Sequence, residues 1–274
     1  MSLEDISPKI WLFQKSIYSN IVKAYFYILC GRSNLVRLAL KMRLKDRRDA
    51  LKRRSHSLTT LHQSLEGVRN KSLDKYPHFD YGAGYNYQSN LELHLSGFRS
   101  TEKRVMALNL TERLLGKTVL DIGSNMGAIL FNVRESIKSG LGVEINEFLV
   151  EQSELISNYL NSNEKLKFSN IPFEDLNEEQ STFDVILSLA NHSTFDGNTK
   201  QSLDSYFNKI YGLLTEDGQL IFESHPPAIE PVDTLNNTIN LIEKYFTATK
   251  IEAEGLDGFL DKDRTYFICT KKVE

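Results

Sequence analysis

The stretch Val119-Leu120-Asp121-Ile122-Gly123-Ser124-Asn125-Met126-Gly127 decides how the rest of the chain is read. Val119 to Ile122 is an apolar run holding one carboxylate, the pattern of a buried strand, and the apolar run from Ala128 to Val133 reads as a helix. Gly123 and Gly127 stand where the chain turns from one to the other, and glycine there lets the backbone approach a ligand that a Cβ would repel. Gly140-Leu141-Gly142-Val143-Glu144 reads as a second strand, ending in a carboxylate 23 residues after Asp121. In a doubly wound sheet such a carboxylate faces the crevice and accepts hydrogen bonds from a ribose diol. The two segments together describe a nucleoside-binding half-fold.

The spacing Gly123-x-x-x-Gly127 is not the G-x-G-x-x-G of a dinucleotide fingerprint, and no P-loop lysine follows it. Asp121-Ile122-Gly123-Ser124-Asn125-Met126-Gly127 resembles the first motif of the class I S-adenosylmethionine-dependent methyltransferases, and Val143-Glu144 resembles their second. Phe183-Asp184-Val185-Ile186-Leu187-Ser188-Leu189 is similar to the family's fourth strand. Leu213 to Glu223 is similar to its next helix end, turn and fifth strand. The resemblance covers roughly residues 100 to 274.

It implies an α/β fold: a Rossmann-like seven-stranded sheet with helices on both faces, here behind a mainly helical N-terminal region. The expected division is residues 1–99, helical and basic with a connecting lid, and residues 100–274, the methyltransferase domain. The implied cofactor is S-adenosylmethionine. Asp121, Gly123, Ser124, Asn125 and Gly127 would shape its pocket, with Leu189 at the end of the fourth strand, and Glu144 would hold the ribose hydroxyls. The family's adenine acceptor follows the third strand, a place shared here by Asn170, Pro172 and Glu174.

The composition, 41% hydrophobic and 25% charged, is that of an ordinary globular protein. Cys30 and Cys269 match no metal or redox spacing, and a reducing cytoplasm is the simplest setting. The net charge of −3 hides an asymmetry: residues 1–54 carry thirteen Lys or Arg against Glu4, Asp5, Asp46 and Asp49, leaving −12 on the remainder. Trp11, Phe13, Ile17, Ile21, Ala24, Tyr25 and Ile28 recur at helical intervals, and Lys15 and Lys23 make that run too charged to span a bilayer. Arg37 to Arg48 continues as a basic helix toward Arg54. Residues 9–54 therefore fit an anchor on the anionic inner face of a membrane, a helical cap on the domain, or a contact with RNA phosphates.

Between Ser55 and Ser100 the periodicity is poor, and a connecting region over the active site is expected, with Tyr81, Tyr85 and Tyr87 as a glycine-spaced aromatic cluster; Tyr85 and Tyr87 are candidate substrate contacts. Ser100 is expected to cap a helix leading toward the central strand. Arg99 or Arg104 would then pair with the cofactor's carboxylate or with an acidic substrate, the alternative being an ordinary surface charge. Helices are expected from Glu147 to Leu160 and from Asp233 to Phe246, and late strands over Lys250 to Glu254 and Thr265 to Lys271.

Chemistry is expected beyond the fourth and fifth strands, where Ala190-Asn191-His192 and Glu223-Ser224-His225 lie. His192 and His225 are the candidate bases, because imidazole can take a hydroxyl proton near neutrality, and Asn191 and Glu223 are candidate substrate contacts. The Asp or Asn-Pro-Pro-aromatic segment common in amino-methylating members is missing, and no cysteine lies in these loops. O-methylation of a glycan or sugar-like small molecule is the resulting expectation. Its alternatives are a tRNA or other small-molecule methyltransferase, a metal held by Glu223, His192 and His225, and a non-catalytic membrane- or RNA-binding adaptor.

Overall fold

In the computed structural model the described residues are 41–46, 48–49, 56–75, 86–177, 182–193, 201–256, 260–261 and 263–272. The amphipathic run before residue 41, together with Tyr81 and Tyr85, lies outside them.

The sheet has seven strands: β1 (Thr118–Ile122), β2 (Ser139–Val143), β3 (Leu166–Ser169), β4 (Phe183–Leu189), β5 (Leu214–Glu223), β6 (Phe246–Ile251) and β7 (Tyr266–Lys271). Their order is β3-β2-β1-β4-β5-β7-β6. β1 to β5 pair in parallel, whereas β7 enters antiparallel between β5 and β6. The strand order reverses between β1 and β4, and a sheet of this kind opens a ligand crevice outside the carboxyl ends at that point.

Alternation along the strands separates two cores. Val119, Val185, Leu187 and Ile221 pack on one face with Ile129, Phe131 and Ile156, while Leu120, Ile122, Ile186, Leu220 and Phe222 pack on the other with Phe207, Ile210 and Ile242. By the same two-residue period Asp121 shares the face of Val119, and Glu223 that of Ile221. The helix Thr101–Ala107 adds Val105 to the first face; Ser100 caps it, accepting from the Lys103 amide at 3.2 Å. Such a cap is worth about 1 kcal/mol. Asn146 caps the helix Glu147–Tyr159 in the same way, through the Phe148 amide at 3.0 Å.

Two expectations are corrected. The connecting region contains a 20-residue helix, His56–Lys75, which buries Leu58, Leu61, Leu65 and Val68 and reaches Glu147 and Glu151 through Lys75 and Lys71. β6 begins at Phe246, directly after the helix Val232–Tyr245, and ends at Ile251 rather than Glu254. The basic segment is helical over 41–46 and 48–49, and its Asp46 is buried, accepting from the Ser96 amide and hydroxyl at 2.8 and 2.7 Å. No helix among the described residues is long and apolar enough to cross a membrane.

Candidate active site

The glycine loop leaves β1 through three left-handed residues, Gly123 (φ 64°), Asn125 (φ 54°) and Gly127 (φ 78°). Asparagine tolerates that region better than other non-glycine residues. The Gly123 and Ser124 amides donate to the Val143 carbonyl, pinning the loop to the end of β2. The Glu144 carboxylate follows directly, accepting from the Asn125 amide and the Asn146 amide at 3.0 Å each. A Cβ on Gly123 would stand 3.0 Å from the Asn191 amide nitrogen, so the missing side chain keeps the loop clear of the end of β4.

Asp121 is buried behind this loop. Burial raises its carboxyl, Arg104 opposes the rise and Glu144 adds to it, leaving it at about 7. Asn170 donates from its side-chain amide to the Glu144 and Ile145 carbonyls at 3.0 Å each, bracing the end of β2. Glu174 lies in the short 3-10 turn Phe173–Asp175, where its carbonyl accepts from Lys209.

Across the crevice β4 ends at Leu189, which is half-buried, and Ala190 then takes φ 60° with its amide donating to the Glu223 carbonyl at 3.0 Å. Asn191 Oδ1 accepts from the Ser188 and Tyr206 hydroxyls at 2.9 and 3.1 Å, which fixes the amide plane. Its Nδ2 is buried, has no hydrogen-bond partner and faces Gly123. His192 turns the other way, its ring packed on Phe222 and His225 at centroid distances of 4.8 and 4.9 Å. Its Nε2 lies 3.0 Å from Glu230 Oε1, and its Nδ1 is buried and unpartnered. Glu230 also accepts from the Thr238 hydroxyl and the His225 amide, both at 2.9 Å. Burial would raise the Glu230 carboxyl, but these donors, His192 foremost, hold it down at about 2.

Glu223 lies on the opposite face in an ion cluster. Its carboxylate meets Arg99 at 2.7 Å, Arg264 at 3.0 Å and Arg104, and Arg99 also reaches Asp261. Burial alone would raise Glu223; Arg104, Arg99 and Arg264 outweigh it and hold the carboxyl far below the ordinary range. Arg99 is therefore neither a surface charge nor open to a ligand, and Glu223, fully buried under three guanidiniums, is removed from the acceptor side. The pleat that puts Phe222 beside His192 turns Glu223 away, so Glu223, His192 and His225 do not converge; among the described residues no group of three His, Cys, Asp or Glu could hold a metal ion. Burial, then His192 and Arg264, depress the His225 imidazole to about 3, which keeps that ring uncharged near neutrality. Tyr87 lies over Arg99, 5.9 Å from guanidinium carbon to ring centroid.

The residues present fit S-adenosylmethionine. The loop offers a cradle that a Cβ at Gly123 would narrow, with a buried, unpartnered donor at Asn191 on one side and the Glu144 carboxylate on the other. A model of the methyltransferase domain matches residues 115–266. The chain belongs to the methyltransferase-domain family. With this sheet order it is a class I, S-adenosylmethionine-dependent methyltransferase. No curated protein matches the sequence. Among solved structures, the N-methyltransferase NodS from Bradyrhizobium japonicum WM9 in complex with S-adenosyl-l-homocysteine aligns at TM-score 0.54 and 13% identity, over 75% of this chain and 100% of that one. The PH0226 protein from Pyrococcus horikoshii OT3 aligns at 0.50 and 14%, over 62% and 89%. At such identities the likeness is one of fold.

Glu230, Tyr206, Asp261 and Arg264 join the site without having been singled out from the sequence. Glu230 sits between Ile229 and Pro231, seven residues past β5, in a segment with no periodicity to mark it.

Proposed function

We propose that this methyltransferase methylates a hydroxyl of a glycan or sugar-like small molecule, with His192 as the general base. The observation that carries the reading is the His192 ring itself, just past the end of β4: Nε2 is held by Glu230 and the buried Nδ1 has no partner. S-adenosylmethionine, when bound, supplies a methyl on a sulfonium sulfur. Glu144 and the loop from Gly123 to Gly127 hold its nucleoside end, with Asp121 and Leu189 behind and Glu174 beyond β3. His192 takes the acceptor's proton, and the O–H electron pair is then available for the new O–C bond. Alignment supplies most of the acceleration, and a base adds about 10²- to 10⁴-fold. The one described cysteine, Cys269, is buried in β7 with its thiol pushed up to about 12, so a thiolate nucleophile has no support here. A polar uncharged acceptor suits a body carrying −12, which repels a long polyanion.

Transfer of labelled methyl from the cofactor into fractionated cell extract tests the reading. Label is expected in a carbohydrate fraction, reduced about 10²- to 10⁴-fold by His192→Ala with cofactor affinity unchanged in calorimetry. Label in RNA would overturn the substrate class, and an undiminished rate in the variant would overturn the base.

The described part of the basic segment, residues 41–46 and 48–49, is read as a cap seated on the domain, because Asp46 docks on Ser96. The full chain is then expected to stay in the supernatant with anionic liposomes at low salt, and co-sedimentation would restore the membrane anchor.

A further inference from the structure

We infer that Glu230 is the positioning residue of the base: it fixes His192 as the Nε2–H tautomer and so makes Nδ1 the atom that accepts the proton. The inference rests on the reading of His192 as base and goes one residue beyond it.

A neutral imidazole has one N–H and one lone pair, and the partner of one nitrogen decides what the other is. An ionised carboxylate only accepts. Glu230 Oε1, 3.0 Å from His192 Nε2, therefore requires the proton on Nε2. The carboxylate is itself anchored, because the Thr238 hydroxyl donates to Oε1 and the His225 amide donates to Oε2. Thr238 lies on the helix Val232–Tyr245 and His225 follows β5, so two elements fix the carboxylate independently of His192. The ring packs against Phe222 and His225, both tilted to it. That leaves Nδ1 buried, unpartnered and carrying the lone pair.

When the acceptor hydroxyl gives its proton to Nδ1, the O–H pair forms the O–C bond and the pair of the breaking C–S bond stays on sulfur. The ring becomes an imidazolium next to the Glu230 carboxylate, which stabilises it without taking its proton. The ionisable groups that act on this pair are Glu230, His225 and Arg264. Of these only Glu230 is an anion. A glutamine in its place keeps the volume but offers an N–H as readily as a carbonyl, so the ring is no longer confined to one tautomer. In sites of this logic, losing the acid that sets the tautomer lowers turnover by up to about 10⁴-fold while binding persists.

The test needs no identified acceptor. In the full-length protein with labelled histidine, long-range nitrogen–proton NMR correlations of the His192 ring, assigned by their loss in His192→Ala, are expected to show protonated Nε2 and unprotonated Nδ1. A parent ring with its proton on Nδ1 overturns the inference before any substitution is made. Glu230→Gln is expected to give a mixed or inverted tautomer with unchanged affinity for S-adenosylhomocysteine, and the rate of label transfer into extract is expected to fall while the KM for S-adenosylmethionine holds. A tautomer unaltered by Glu230→Gln also overturns the inference. Should that variant not fold, Thr238→Val loosens the same carboxylate and is expected to shift the tautomer partially. If His192→Ala leaves transfer intact while Glu230→Gln still inverts the ring, it is the base reading that fails.

Discussion

Two buried glutamates stand within a few residues of each other beyond the same strand, and the sheet uses them in opposite ways. Glu223 closes β5 on one face, surrounded by Arg99, Arg104 and Arg264. Glu230 lies on the other face, bonded to one histidine, one hydroxyl and one amide. In the first cluster the charges bind one another and little is left to offer a ligand. In the second the carboxylate is satisfied yet leaves its histidine with an unpaired nitrogen. Burial and ionisation are common to both, so neither property identifies the reactive one; the distinction lies in the kind of atom left unpaired, a guanidinium donor at Arg104 Nε in the first cluster and an imidazole nitrogen at His192 in the second.

The sharpest way to break this comparison is to remove the first carboxylate. Glu223→Gln removes the carboxylate that three buried guanidiniums share, of which Arg99 pairs with Asp261 as well, and breaking a buried pair in this way costs about 3 to 5 kcal/mol. Urea denaturation is expected to show a loss of that size. A loss below about 1 kcal/mol would mean that the cluster is hydrated and that Glu223 is not the structural member of the two.

Asp121 tests the same contrast from the cofactor side, because Arg104 acts on both Asp121 and Glu223 while their carboxyls move in opposite directions. The Asp121 carboxyl titrates at about 7 in the folded chain, raised first by burial. A raised acid favours the folded state while protonated, so this contribution is fully present below about pH 4 and is lost as pH rises through about 7, at up to about 1.4 kcal/mol per unit. Relative to Asp121→Asn, the parent's stability is expected to decline over that window and run parallel above it. A constant difference from pH 4 to 8 would place the carboxyl in the ordinary range, leaving Arg104 in control of Asp121 as it is of Glu223.

The half of the site built by β1 and β2 was legible because its information is local. Two apolar strands, two glycines and one terminal acid fall within 26 residues, and each constrains the backbone where it stands. Ser100 and Asn146 were readable as caps for the same reason. The helix His56–Lys75 was missed although Leu58, Leu61, Leu65 and Val68 repeat every three or four residues, since four buried apolar side chains among twenty give a weak stripe that matters only once the helix Glu147–Tyr159 is present to receive it. The acceptor half is set by contacts across the chain. Arg99 meets a carboxylate 124 residues away and His192 one 38 residues away, and nothing in the local sequence of Glu230 announces its partner. Both histidines read alike in sequence; only the three-dimensional surroundings depress His225.

The smallest effect expected is at Ala190, where the two faces are joined. With φ at 60°, this alanine occupies a region that a Cβ disfavours, at a cost on the order of 1 kcal/mol. Its amide still bonds to the Glu223 carbonyl, so β5 holds the bend in place. The bend breaks the strand alternation, sending Asn191 toward Gly123 and His192 toward Phe222. Glycine would take the same φ without the Cβ clash but would also leave the unfolded chain with more freedom. Ala190→Gly is therefore expected to raise unfolding free energy by up to about 0.5 kcal/mol in urea denaturation, the strain relief slightly exceeding the entropic loss. A loss of stability instead would show that the bend is not strained as it stands. If stability rises while the tautomer signal of His192 broadens, the alanine side chain is what narrows the turn, and the strain belongs to the aiming of the histidine and not to the ion cluster beneath it.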